Sequence, residues 1–469
     1  MIKYSGAILL TILMAAGCRT LPVHNKPLET YSADYGYRYR NINPGADDSD
    51  NLLVILTFSG GGTRAASLSY GVLCVLRDTQ IFWQGRSRRL LDEVDVISSV
   101  SGGSLTAAYY ALFGDRIFED FPKRVLYRDI QGNLLRSLLA PANLIKLVSP
   151  FYGRTDLMGD NFSDWIFEHK TYGDLLARNR RPYIIINTTD MSRGSRLGFT
   201  QGQFDLFYSD LNPYPIGNAV AASAAFPGLL APMTLRNFPK PDDFQPPAWL
   251  ADDQNAKSGF IPDDQSCYLD KRRTDIYVID GGVSDNLGLL PIIMGIDGHH
   301  SDDKIGDGTA ESLPKKVIII TVNAEGRSKR SWELSAGLPG LIDTLLTSGT
   351  APLGNFSHAQ IGYLRQQIAY RNTLKEIKQQ VEQQATAQGV SIQIPALEQP
   401  DIDFYFIEVA FNQIASPEKR NALSRVPTNF NLGKKKVDAV CGSAKEILAA
   451  NPDFQAMLAT LQPPGVPSK

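Results

Sequence analysis

Six short apolar runs punctuate this 469-residue chain, at residues 52–56, 94–97, 183–187, 276–279, 317–322 and 404–409. They are rich in β-branched and aromatic residues and are bounded by turn formers, so each reads as a buried strand. Between them the period changes. Ala65, Leu68, Val72, Val75 and Leu76 recur at helical spacing after the first run, and residues 105–112 form a helix-compatible apolar stretch after the second. Successive strand–loop–helix units predict an α/β fold with a mostly parallel central sheet covered on both faces. Residues 239–262, rich in Pro and Asp, and 297–314, rich in Asp and Gly, read as surface insertions. A third insertion, 361–400, opens with a Gln/Lys/Glu-rich stretch that predicts an exposed helix outside the sheet.

The amino terminus follows a different pattern. Lys3 precedes an apolar stretch, residues 7–16, that is too short to span a bilayer comfortably and reads as an export signal over residues 1–17. Its end, Ala15-Ala16-Gly17-Cys18, resembles the bacterial lipoprotein box, with Ala15 where leucine is usual. That resemblance implies acylation of Cys18 and attachment to a membrane through it, and Arg19 resembles an outer-membrane sorting choice. The protein is then an outer-membrane lipoprotein facing the periplasm or the surface, with plain cleavage and secretion, or a retained anchor, as alternatives. Residues 18–50 are polar, contain Pro22, Pro27 and Pro44, and show no apolar period, so they predict a tether ahead of a folded body at 51–469.

Composition adds boundaries. Lys+Arg 47 against Asp+Glu 49 leaves a net charge of −2, with no nucleic-acid footprint. Lys434-Lys435-Lys436 reads as a solvated face, with contact to anionic lipid as the alternative. Cys74 falls in a predicted core helix; Cys267 and Cys441 either pair in an oxidising compartment or remain free thiols.

The candidate chemistry sits in three glycine-marked turns behind predicted strands. Ser99-Val100-Ser101-Gly102-Gly103 follows the second run. A nucleophilic serine must project from a tight strand-to-helix turn, which small residues on either side permit. Here Gly103 is present and Ser99 replaces the leading glycine; a helix N-cap serine is the plain structural reading. Gly60-Gly61-Gly62-Thr63-Arg64 follows the first run, and successive glycine amides there suit an oxyanion, with Arg64 adding positive charge or serving as a local cap. A phosphate-binding Walker loop is excluded because no lysine followed by Ser/Thr comes after the last glycine, and a dinucleotide fingerprint fails because Ala65 stands at its final glycine. The five histidines, His24, His169, His299, His300 and His358, all lie in polar or loop contexts, none behind a buried strand. Asp280-Gly281-Gly282 does follow one, so Asp280 is the candidate base, against a simple Asp-Gly turn.

These three turns together resemble the patatin-like phospholipase family. The residues that carry the resemblance are Gly60 to Arg64, Ser101 and Asp280, supported by Ala221-Ala222-Ser223-Ala224-Ala225-Phe226-Pro227. The resemblance implies a three-layer α/β/α sandwich and a Ser101–Asp280 dyad that works without histidine. It also implies an oxyanion loop at Gly60, Gly61 and Gly62, a membrane-lipid or other acyl-ester substrate, and no metal or cofactor. Two other classes stay open: a protein that keeps the fold to bind lipid or a partner with its chemistry lost, and a Ser-His-Asp esterase or peptidase using an unplaced histidine.

Overall fold

The computed structural model describes residues 23–43, 49, 51–247, 250, 265–296, 314–326, 340–389 and 401–463. Residues 1–22, with Cys18 and the expected signal, lie outside that set, as do His299 and His300 and most of the 297–314 insertion.

One sheet organises the molecule. Its strands in chain order are β1 (Leu52–Phe58), β2 (Val94–Val100), β3 (Tyr183–Asp190), β4 (Ser195–Phe199), β5 (Met233–Arg236), β6 (Asp275–Asp280), β7 (Lys316–Asn323) and β8 (Asp403–Ala410). Across the sheet they run β8-β7-β1-β2-β3-β6-β5, with β4 paired to β3. The five strands from β8 to β3 are parallel. β4 and β6 lie antiparallel to β3, and β5 antiparallel to β6. All six apolar runs are therefore strands, and helices flank the sheet in the three-layer arrangement expected. The central strands are apolar on both faces because both faces are covered, as in β1, where six of the seven residues are buried. β4 and β5 escaped the sequence pattern because Ser-Arg-Leu-Gly-Phe and Met-Thr-Leu-Arg contain no sustained run; their pairing comes from β3 and β6.

The helices that matter for the site are α1 (Gly62–Asp78), α2 (Gly102–Phe113), α3 (Ile130–Leu138), α4 (Pro141–Lys146), α5 (Arg154–Phe162), α6 (Ile216–Ser223), α7 (Leu341–Ala387) and α8 (Lys434–Ala450). α1 and α2 start directly from the glycine turns, and α8 packs along α1. None of the described helices is long and apolar enough to cross a membrane.

Two expectations change, and one open alternative is decided. The 361–388 helix is part of the much longer α7 and does not stand clear of the sheet: Ile361, Leu364 and Ile368 are buried, and Arg365 pairs with Glu408 of β8 at 3.0 Å. Its apolar positions are few, but they fall on one stripe and suffice to dock it. Residues 23–43 are not a free tether. Tyr37, Tyr39 and Ile42 are buried, Tyr37 stacks on Tyr183 at 4.8 Å, and Arg38 forms a buried ion pair with Asp205 at 2.5 Å. Cys267 and Cys441 do not meet. Cys267 lies beside Arg273 at 3.2 Å, whereas Cys441 is on α8 facing α1, where Cys74 is its neighbour; all three thiols are free.

Candidate active site

Ser101 occupies the hinge between β2 and α2 with φ 51° and ψ −121°. A non-glycine residue in such a conformation costs on the order of 1–3 kcal/mol and persists only where its surroundings fix it. The fixing groups are visible. The Ser101 amide donates to Ser223 Oγ at 2.8 Å, and that hydroxyl donates to Asn187 O at 2.6 Å. Gly102 is required by contact: a Cβ there would lie 2.0 Å from Gly62 O, so the elbow and the triglycine loop touch through bare backbone. The substitution of Ser99 for the usual glycine is accommodated because its side chain is buried within β2 and its hydroxyl donates to Ile185 O at 3.3 Å.

Asp280 was expected at the carboxyl edge shared by parallel strands, but its strand runs the other way. Val100 pairs with Asn187, and β3 continues past that point through Thr188, Thr189 and Asp190. β6 folds back antiparallel along this overhang and sets Asp280 opposite Thr188. The carboxylate therefore arrives beside Ser101 from beyond the sheet edge. Its backbone is pinned by Asp280 N–H to Ala225 O at 3.0 Å and by Thr189 Oγ1 donating to Asp280 O at 2.9 Å. Its side chain accepts from the Gly282 amide at 2.7 Å, and the neighbouring Ser101 hydroxyl favours its charged form. Burial pushes the Asp280 pKa up to about 6, against the opposing pull of the Gly282 amide and the Ser101 hydroxyl.

The triglycine loop is only partly as expected. The Gly60 amide donates to Asn286 O at 2.9 Å and is not available to an oxyanion. Gly61 and Gly62, with φ of 138° and 58°, make the turn, and neither of their amides has a backbone acceptor among the described residues; the same holds for Gly102 at the start of α2. Arg64 is a brace rather than a ligand. Its guanidinium donates to Ala324 O at 2.8 Å and to Val426 O, tying α1 to the segments after β7 and before α8. Burial lowers its pKa to about 10, with Glu325 opposing the shift.

Sequence reasoning missed Asn187 and Asn286, and recognised Ser223 only as part of a small-residue stretch. Asn187 Nδ2 donates to Ser98 Oγ at 2.9 Å and to Ser99 O at 3.0 Å, locking β3 to the end of β2. These residues look like ordinary turn and strand polar positions, and only tertiary pairing reveals their work. Among the described histidines, His24 contacts Asp156 and Asn218, His169 contacts Asp164, and His358 is exposed on α7. None of them is hydrogen-bonded to Ser101 or Asp280.

The family model for patatin-like phospholipases matches residues 56–293, which contain Ser101, Asp280 and the triglycine loop. The chain belongs to the patatin-like phospholipase family. Among solved structures, human GIVD cytosolic phospholipase A2 is similar at 12% identity and a TM-score of 0.41, covering 88% of this chain and 60% of that one. VipD from Legionella pneumophila is similar at 11% identity and a TM-score of 0.28, covering 85% of this chain and 67% of that one. The chain thus spans about 60% of the length of the human protein. No curated protein matches it. The patatin-like match runs from the end of β1 through β2, β3 and β6, the strands that deliver the site.

Proposed function

We propose that this protein is a serine acyl-ester hydrolase acting on membrane lipid, with Ser101 as nucleophile and Asp280 as general base. The observation that carries the reading is the strained, buried Ser101 beside a buried carboxylate whose pKa burial raises to about 6. A base near that value is far better matched to work at neutral pH than an ordinary aspartate. Asp280 takes the proton as Ser101 Oγ bonds to the ester carbonyl carbon. The amides of Gly61, Gly62 and Gly102 receive the oxyanion. Collapse of the tetrahedral intermediate breaks the bond to the leaving alcohol, which takes the proton from Asp280. Water then gives a proton to the same carboxylate as its oxygen adds to the acyl carbon; the tetrahedral intermediate collapses by breaking the bond to Ser101 Oγ, which takes the proton back from Asp280, and fatty acid leaves.

In the same reading Cys18 is the lipidated mature first residue and holds the enzyme at its substrate's surface in the outer membrane. Incorporation of labelled fatty acid into the wild type, lost in Cys18→Ala, checks this.

Release of fatty acid from phospholipid vesicles and from soluble short acyl esters tests the dyad. Ser101→Ala and Asp280→Asn should each lower kcat/KM by roughly 10²–10⁴-fold or more with the fold intact. Full activity in Asp280→Asn, with loss in a variant lacking His299 and His300, would transfer the base to histidine. A folded wild type that releases nothing from any ester would leave a lipid- or partner-binding protein.

A further inference from the structure

We infer that the α3–α4 hairpin, with Lys435 and Lys436 beside it, is a docking face for an anionic bilayer, separate from any anchor at Cys18. The inference rests on the lipid-hydrolase reading for its orientation toward Ser101, and its test separates the two.

The first observation is apolar exposure. Leu135, Leu139, Leu144, Ile145 and Val148 are between 50% and 73% exposed, all on or immediately after the two helices. An isolated exposed leucine is ordinary, whereas a cluster marks a surface that another phase covers. Residues 130–151 also contain no Asp or Glu, while Arg136 and Lys146 are present. Apolar positions with basic but no acidic residues among them suit helices that lie in a lipid headgroup region, although Lys146 pairs with Asp160 of α5 at 3.3 Å and Arg136 is the cation of the stretch with no acidic partner among the described residues.

The second observation is position. The Gln131 amide in α3 donates to Phe430 O at 3.4 Å, and the adjacent Asn429 O accepts from the Thr63 amide at 2.9 Å and abuts Gly62. At the other end, the chain after Val148 enters α5, where Thr155 Oγ1 donates to Ala231 O. The 226–231 segment follows Ser223, the residue that holds Ser101, and carries Leu229 at 70% exposure. The hairpin therefore spans the two segments that flank the nucleophile. His24, held within 3.1 Å of Asp156 and 3.0 Å of Asn218, lies on this same flank. Cys18 is six residues earlier, within about 20 Å of extended chain.

The third observation is charge. Lys434, Lys435 and Lys436 open α8, just after the Asn429–Phe430 segment. Cations in the first turn oppose the helix dipole, so helix stability does not account for them. Lys434 pairs with Asp438 at 2.9 Å; Lys435 and Lys436 are exposed and have no acidic partner among the described residues. A second copy of this chain meeting the same acid-free segment would bring these lysines no counter-charge, whereas an anionic membrane surface supplies it.

The test uses the mature chain from residue 18 carrying Cys18→Ala, so that neither acylation nor the apolar stretch at 7–16 dominates, with co-sedimentation on vesicles of phosphatidylcholine alone or mixed with phosphatidylglycerol. Binding should be stronger to the anionic vesicles. Leu139→Asp with Ile145→Asp should weaken partitioning to both by about tenfold or more, and Leu139→Ser with Ile145→Ser should weaken it less. Lys435→Glu with Lys436→Glu should remove the preference for phosphatidylglycerol. Thermal unfolding and hydrolysis of a soluble short acyl ester should stay near the parent value, because these side chains touch neither Ser101 nor the core. Absence of binding by the parent chain, or unchanged binding in the aspartate variant, overturns the inference. So does sedimentation velocity in which the aspartate variant converts a dimer to a monomer while vesicle binding is unaffected. Variant-sensitive vesicle binding by a chain that cleaves no ester would leave the docking face standing and overturn the hydrolase reading.

Discussion

At the residue scale, Asp280 couples catalysis to stability. Its folded pKa of about 6 lies above the ordinary 3.8, so the folded state favours the protonated carboxyl. The associated stability is fully present below the unfolded value and is lost as pH rises through about 6. Activity needs the opposite form: kcat/KM for a soluble ester should climb with pH, reach half its plateau near pH 6 and level off above about pH 7. Asp280→Asn removes the charge while keeping the shape. It should abolish this profile and, at pH 8, unfold at higher urea than the wild type, a gain of up to about 3 kcal/mol at 1.36 kcal/mol per pH unit. The gain should disappear below about pH 4. An acid limb centred near 4 in the wild type, with no stability gain in the variant, would mean that the carboxylate is solvated and not poised as a base.

At the scale of elements, the site is a product of junctions, and this explains what was legible in the sequence. Strands buried on both faces show as apolar runs, so β1, β2, β3, β6, β7 and β8 were readable, as were the glycine turns behind three of them. The direction of β6 was not, because antiparallel pairing along the β3 overhang depends on contacts between Val278 to Asp280 and Thr188 to Asp190, distant in sequence. The aim of Arg64 was equally hidden: a cation beside three glycines suggests an anion, yet its partners are carbonyls at 324 and 426. Gly60 was misjudged for the same reason, since its acceptor is Asn286. Arg64→Met should leave those two carbonyls short of donors and cost about 2–4 kcal/mol in chemical denaturation. Arg64→Lys should recover less than half of that, because one ammonium does not reproduce the guanidinium fork. If Arg64 held the substrate instead, the lysine variant would restore KM and the methionine variant would unfold like the wild type.

At the scale of the whole molecule, the segment before the sheet is a strap that closes one side of the body. Its alternation of Tyr35, Tyr37 and Tyr39 with Gly36 and Arg38 was masked by prolines and a polar average, so it read as a tether. Tyr37 receives the Ile184 amide on its hydroxyl at 2.8 Å, and Lys26–Pro27 pairs with Ser209–Asp210. Arg38 is the strap's deepest cation: its guanidinium donates to Tyr35 O at 2.8 Å and meets Asp205, which also accepts from Gln201 at 2.9 Å. Removing one member of such a pair leaves the other charge buried, which costs about 3–5 kcal/mol, far more than a surface ion pair. Arg38→Met should therefore lower the unfolding free energy by about that amount, and Arg38→Met with Asp205→Leu should recover much of it. Limited proteolysis should cut the single variant between residues 23 and 43 well before the body, while the double variant resists. Because the strap ends at His24 beside α5 and α6, its release would also loosen the link between any anchored amino terminus and the flank that carries Ser223. Vesicle hydrolysis by the acylated Arg38→Met protein should then fall more than hydrolysis of a soluble ester, and equal losses on both substrates would confine the strap to stability alone.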